Sequence, residues 1–207
     1  MRPVTPPKQY DRAYFDRWYR DPRHAIVRAG MLERRVQLAV AAAEFVLERP
    51  IRSVLDVGCG EAPWRALLLR VRPGLRYVGV DSSTYVLRRW GQRRDIRPGS
   101  FGELGRLRLG GPFDLIVCAD VLHYLRTPEL RRGLPALVKL LRGLAYLEVY
   151  ASDDSTVGDE VEYQQRSSAV YRRLFHAAGL RHVGLHGWVT LRREAELLAF
   201  ERAELER

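Results

Sequence analysis

The stretch Val54-Leu-Asp-Val-Gly-Cys-Gly60 runs from an apolar strand signal straight into two glycines, and the rest of the sequence falls into order around it. Ser53 to Val57 is short and apolar, which predicts a buried strand. Gly58 and Gly60 let the backbone turn sharply and approach a ligand closely. A helix over Ala62 to Arg70 follows, with Pro63 suited to its first turn, where a missing N–H is tolerated. The unpaired N–H groups at such a helix start favour a negative or polar partner. This is not the dinucleotide fingerprint, because Pro63 stands where the third glycine of that pattern falls. Alone, the segment fits a tight strand-to-helix turn with incidental glycines equally well.

Downstream, strand and helix signals alternate. Pro73-Gly74 marks a turn, Leu75 to Val80 is a second strand running into Asp81, and Ser83 to Trp90 is a helix. Gly91 to Ile96 reads as a weak third strand and Phe113 to Ala119 as a strongly apolar fourth. A helix from Pro128 to Leu141 leads to a fifth strand, Ala145 to Tyr150, then to an acidic loop, Ser152 to Glu162. A helix over Ser167 to Ala178 and closing strands near Arg181 to Val189 and Leu197 to Glu201 end the chain. Upstream, Tyr10, Tyr14 and Trp18 form an i, i+4, i+8 stripe on a short helix that Asp21-Pro22 terminates. A longer amphipathic helix spans Arg28 to Glu48, with Leu32, Val36, Ala39, Val40, Ala43 and Leu47 on one face. Repeated βα units predict a three-layer αβα sandwich around a mainly parallel sheet, with ligands outside the carboxyl ends of the strands. We divide the single domain into an N-terminal helical lid and core helix, residues 1–49, and a binding core, residues 50–207.

The composition agrees with one compact unit. The chain has 207 residues, 46% hydrophobic and 29% charged, where a domain takes roughly 150 residues. Disorder, fibrous architecture and a disulfide scaffold are excluded, since Cys59 and Cys118 are the only cysteines. No His or Cys pair has metal-ligand spacing, so no metal is expected. The longest nearly apolar run, Leu38 to Leu47, is interrupted by Glu44 and is far short of the ~20 residues of a membrane span. The residues Met1 to Lys8 contain no apolar signal region, so a cytoplasmic location is expected. The net charge of +10 invites a nucleic-acid partner, but of 35 basic residues only Lys8 and Lys139 are lysine. A skew of that kind fits a GC-rich coding sequence as well as a phosphate-binding surface, so nucleic acid is a secondary expectation.

Three further segments sharpen the picture. Tyr77-Val-Gly-Val-Asp81 ends the second strand in an acid 25 residues after Asp56, a position from which a carboxylate can accept ribose hydroxyls. Arg94-Asp95-Ile96 carries another acid, and Phe113-Asp-Leu-Ile-Val-Cys-Ala-Asp-Val-Leu-His-Tyr-Leu125 is a strand leaving directly into Asp120 and His123. In this combination and order, from about Ile51 to Glu201, the sequence resembles the class I S-adenosylmethionine-dependent methyltransferases. The resemblance implies a Rossmann-like fold whose seven-stranded sheet has an antiparallel last strand, here placed at Leu197 to Glu201. It implies S-adenosylmethionine as cofactor and S-adenosylhomocysteine as product. Asp56 is implied to orient the glycine turn and the methionine moiety, with Gly58, Cys59 and Gly60 lining the cofactor through their backbone. Asp81 is implied to hold the ribose, with Ser82 beside it. Asp95 is implied to accept from the adenine amino group, with Ile96 flanking the ring, and Ala119 and Asp120 to sit beside the methionine portion and the methyl. Glu61-Ala62-Pro63 departs from the family's pattern, in which a further glycine is frequent.

Beyond the cofactor, two readings of His123 stand side by side: a base facing the acceptor, or a packing residue at the start of a loop. Asp120 and Tyr150, at the ends of the fourth and fifth strands, complete the catalytic candidates. Tyr14 and Trp18 are candidates for a lid over the cofactor, where aromatic faces suit a sulfonium, and Arg23 for a partner of the methionine carboxylate. The stripe equally fits a helix docked on the core. The acids Asp153, Asp154, Asp159, Glu160 and Glu162 fit a solvated loop, or a lid that draws in an amine-bearing acceptor. Ala119-Asp-Val-Leu122 is not the [DNS]-P-P-[YFW] of amino-group nucleic-acid methyltransferases, and Cys118 lacks the adjacent proline of the C5-cytosine enzymes. The expected reaction is methyl transfer to an O or N atom of a small-molecule acceptor by a monomer or homodimer. The alternatives are an RNA or protein methyltransferase, or a non-catalytic S-adenosylmethionine-binding sensor.

Overall fold

The computed structural model describes residues 8–21, 23, 30–155 and 159–203. Seven strands form one sheet in the order β3-β2-β1-β4-β5-β7-β6. They are β1 (Ser53–Val57), β2 (Arg76–Asp81), β3 (Ile96–Pro98), β4 (Phe113–Ala119), β5 (Leu141–Glu148), β6 (Leu180–Gly184) and β7 (Gly187–Thr190). Neighbours from β3 through β5 pair in parallel, whereas β7 runs antiparallel to both β5 and β6. This is the three-layer Rossmann-like architecture, with one antiparallel strand.

Two helical layers cover the sheet because its central strands are apolar on both faces. Alternate residues point to opposite sides: Val54, Leu115, Val117 and Leu144 belong to one core, and Leu55, Ile116, Cys118 and Ala145 to the other. The first core is closed by α1 (Arg12–Phe15), α2 (Met31–Leu47), α3 (Pro63–Val71) and α4 (Thr84–Arg94). The second is closed by a 3-10 segment (Phe101–Arg106), α5 (Thr127–Leu140) and α6 (Ser168–Ala177). On α2 the expected stripe Val36, Ala39, Val40 and Ala43 is buried, each larger side chain contributing about 1.5–3 kcal/mol. Its expected start at Arg28 lies outside the described residues. At the sheet's amino edge, fully buried Asp114 accepts from Arg49 Nη2 (2.8 Å) and Nη1 (3.1 Å), Arg142 Nη1 (3.1 Å) and the Arg52 N–H (2.7 Å).

Three strand assignments differ from the sequence expectation. Residues 91–94 belong to α4, whose N-terminus is capped by the Ser83 hydroxyl accepting from the Val86 N–H at 3.1 Å. Asp95 ends that helix at φ 52°, so β3 is only Ile96–Pro98, an edge position that tolerates proline. The fifth strand begins at Leu141, four residues early, because Gly143 is not a breaker: a Cβ there would lie 2.4 Å from the Asp114 carbonyl oxygen, so glycine is what lets the two strands meet. The antiparallel strand is Gly187–Thr190 rather than Leu197 to Glu201. Leu185 and His186, with φ of 44° and 66°, make a two-residue hairpin turn inside the segment expected as one strand. Ala199–Glu201 is a 3-10 turn with Phe200 fully exposed. Among the described residues, no helix is long and apolar enough to cross a membrane.

Candidate cofactor cleft

The carboxyl ends of β2, β1, β4 and β5 open into one cleft, roofed by α1 and the π-helical turn Asp16–Arg20 that continues it. Phe15, Tyr19, Gly58, Gly60 and Asp120 line both of its halves. The Tyr19 hydroxyl donates to Asp120 Oδ2 at 3.2 Å and so draws the waist between them; burial of that hydroxyl, then Asp120, pushes its pKa well up. The half over β2, about 130 Å³, is bounded by Tyr10, Tyr14, Asp81, Ser82, Gly99, Ser100, Phe101 and Tyr124. The half over β1, β4 and β5, about 370 Å³, is bounded by Asp56, Cys59, Trp64, Ala119, Arg20, Arg35 and Glu148.

The glycine turn is held by the end of β2. The Gly58 and Cys59 N–H groups donate to the Val80 carbonyl at 2.8 and 3.2 Å, and the Gly60 N–H donates to Asp81 Oδ2 at 2.7 Å. Both glycines have positive φ, 69° and 53°, and a Cβ on Gly58 would lie 2.4 Å from Val121 Cγ2. Asp81 Oδ1 accepts the Ser83 N–H at 2.8 Å. Burial raises the Asp81 pKa against these backbone donors. Asp56, 3% exposed, accepts the Tyr77 hydroxyl at 2.7 Å. Burial, opposed by Tyr77 and reinforced by Asp81, pushes its carboxyl up to about 7. Asp120 sits at φ 61°, a conformation that costs a non-glycine residue of order 1–3 kcal/mol and collects at functional sites. Burial pushes both the Cys59 and Cys118 thiols well up, so neither is an activated nucleophile.

Asp56, Gly58, Cys59, Gly60, Asp81, Ser82, Ala119, Asp120 and Tyr14 thus share one cleft. Other expected site residues stand elsewhere. Asp95 is exposed at the amino end of β3, 3.8 Å from Arg97 Nε, and Ile96 is buried against Gly79. Because β3 starts late, it is Gly99, Ser100 and Phe101 that reach the cleft. Trp18 lies outside the lining, with the Arg17 guanidinium 4.9 Å from its ring centroid. Arg23 forms an exposed pair with Asp21 at 3.0 Å. His123 is 2% exposed and stands behind Asp120, its Nε2 3.3 Å from Oδ1, against the rings of Tyr124 and Tyr150. It is not among the residues that line the two halves of the cleft. The Tyr150 hydroxyl donates to Glu148 Oε1 at 3.2 Å.

Several residues of the site were not singled out from the sequence. Glu148 and Arg35, joined at 2.9 Å, and Arg20, paired with Glu61 and Asp16, border the larger half. The signal for Glu148 was an acid at the carboxyl end of an otherwise apolar strand. Lys8 ties the N-terminal segment to the acidic loop. Its Nζ lies 2.7 Å from Asp159 and 3.4 Å from the Tyr124 ring centroid, and its N–H donates to Glu162 at 3.2 Å. The acidic loop is therefore engaged within the chain. Asp153 accepts from Ser168 N–H and Oγ at 2.8 and 2.6 Å, and Asp154 from the Ala151 N–H at 2.7 Å.

Residues 55–144 match the family model described as a methyltransferase domain. An uncharacterized protein of a Synechococcus species is 34% identical over 108 residues, 47% of this chain and 25% of that protein. The chain thus spans about a quarter of the length of the curated relative it matches. The structure of DesVI from Streptomyces venezuelae superposes with a TM-score of 0.57 at 16% identity, covering 72% of this chain and 82% of that one. Human N-acetylserotonin methyltransferase in complex with S-adenosylmethionine gives 0.52 at 17% identity, covering 77% and 55%. Residues 55–144 thus match a methyltransferase domain, and the chain shares the Rossmann-like fold of these solved structures.

Proposed function

We propose that this chain transfers a methyl group from S-adenosylmethionine to an O or N atom of a small-molecule acceptor. The observation that carries the reading is the Asp81 carboxylate at the mouth of β2. A carboxylate offers about four lone-pair sites. Gly60 and Ser83 each take one and the Ser82 N–H bears on the same carboxylate, which leaves acceptor capacity for a ribose hydroxyl. Ser82 stands beside it, and Gly99 to Phe101 take the place expected of Asp95 around the base. Gly58, Gly60, Asp56 and Ala119 would hold the methionine portion, with Arg20 as the nearby cation in place of Arg23. The Tyr14, Phe15 and Tyr19 rings suit a sulfonium, each worth about 0.5–2 kcal/mol. Bound there, the cofactor supplies an electrophilic methyl group.

The chain's own residues then have to align the acceptor and exclude water, which is where most of the rate gain of a positioned displacement arises. The lid supplies exclusion: Tyr10, Tyr14 and Tyr19 roof the cleft and Lys8 ties it to the acidic loop. A cleft so roofed suits a small acceptor, and the human neighbour is itself named for one, N-acetylserotonin. Single-turnover transfer from methyl-labelled cofactor into a cell metabolite extract tests the assignment. Label in the small-molecule fraction is expected. Label only in RNA or protein would reassign the acceptor, and tight cofactor binding without transfer would reassign the chain as a sensor.

A further inference from the structure

The sheet order gives the acceptor a place. With the ribose over β2 and the methionine portion over β1 and β4, the next strand outward is β5, whose Glu148 lies in register with Ala119 of β4. Glu148 is 2% exposed and lines the larger half of the cleft. Its Oε1 is fixed by Arg35 Nη2 at 2.9 Å and by the Tyr150 hydroxyl at 3.2 Å. Its Oε2 is buried and has no hydrogen-bond partner among the described residues. A purely structural ion pair gains nothing from such an arrangement, because an unsatisfied buried acceptor costs about 1–3 kcal/mol and more when charged. Asp114, at the other end of the sheet, shows the structural form, with donors on both oxygens.

We infer that Glu148 receives the acceptor, its Oε2 taking a hydrogen bond from the O–H or N–H of the atom to be methylated. The inference rests on the methyl-transfer reading and deepens it, since it defines the acceptor as a hydrogen-bond donor at the reacting atom. Arg35 and Tyr150 are positioning residues that set the plane of the carboxylate. As the acceptor atom bonds to the methyl carbon, the carbon–sulfur bond breaks with its electrons left on the thioether. The acceptor's proton then passes to Oε2 and on to solvent. Burial raises the Glu148 pKa against the opposing charge of Arg35, which favours holding that proton.

The test needs no acceptor. Sinefungin carries a primary ammonium where the cofactor carries its sulfonium methyl, so it places a donor in front of Glu148, whereas S-adenosylhomocysteine places none. Calorimetry on the intact chain should show sinefungin binding at least about tenfold tighter than S-adenosylhomocysteine, as expected for a hydrogen bond to a charged group. Glu148→Gln should remove that preference and leave S-adenosylhomocysteine affinity within about twofold, which also reports that the variant is folded. Glu148→Asp should restore part of the preference. Equal losses for both ligands, or an unchanged preference, would overturn the inference. A parent chain that binds neither ligand would instead overturn the methyl-transfer reading beneath it.

Discussion

At the amino edge of the sheet, Asp114 is fully buried, and Arg49, Arg142 and the Arg52 N–H together give it four hydrogen bonds. At the carboxyl edge, Asp56, Asp81 and Glu148 are 3%, 9% and 2% exposed, yet each keeps acceptor capacity unused. The pKa directions follow. Burial alone would raise all four; Arg49, the Arg52 N–H and Arg142 reverse it for Asp114, whereas the carboxyl-edge acids stay raised. On the methyl-transfer reading, similar burial with unequal pairing separates a carboxylate that holds the fold from one that awaits a ligand.

The largest effect expected concerns Asp56. Its folded pKa near 7 lies above that of an unfolded carboxyl, so between about pH 4 and 7 the folded state keeps a proton that the unfolded state has lost, and stability falls as pH rises. Asp56→Asn should flatten that fall, a difference on the order of 3–4 kcal/mol at pH 8 relative to the parent, read by urea titration across pH. Asp114 has the opposite sign: its stabilisation is present above the unfolded pKa and is lost as the medium is acidified through the lowered folded pKa. Asp114→Ala should cost about 2–3 kcal/mol at neutral pH, less than a fully buried pair because both guanidinium groups reach water, with unchanged ligand affinity in the folded protein. A loss of affinity there would break the contrast between the two edges.

Glycines extend the comparison. Gly58 and Gly74 have φ of 69° and 81°, but an added Cβ meets Val121 at the first and nothing within 4 Å at the second. Alanine at 74 should therefore cost only the left-handed penalty, about 1–2 kcal/mol. Alanine at 58 should cost about 1–3 kcal/mol more and weaken cofactor binding, as paired thermal melts would show. The smallest effect belongs to Lys8: Lys8→Met should lower S-adenosylhomocysteine affinity by less than about tenfold, chiefly through faster release, measurable by stopped flow.

What the sequence revealed divides along physical lines. β1 and β4 were legible to the residue because Ser53–Val57 and Phe113–Ala119 are continuous apolar runs that only a two-sided core explains. The acids at strand ends, Asp56, Asp81 and Asp120, followed from those boundaries. Asp95 was misplaced because the helix before it carries arginines at its end and only three strand residues after it, so no periodicity marks the switch. Glu148 was hidden inside a run read as plain strand, and nothing local marked Arg20, whose place at the cleft beside Glu61 is a tertiary fact.

The most direct test is titration calorimetry of S-adenosylhomocysteine into the parent chain and Asp81→Ala. The structure predicts stoichiometric binding by the parent and a loss of about 100-fold or more in the variant, with a cooperative thermal melt of the variant showing that it is folded. No binding by the parent chain, or equal binding by both, would contradict the assignment of the cleft.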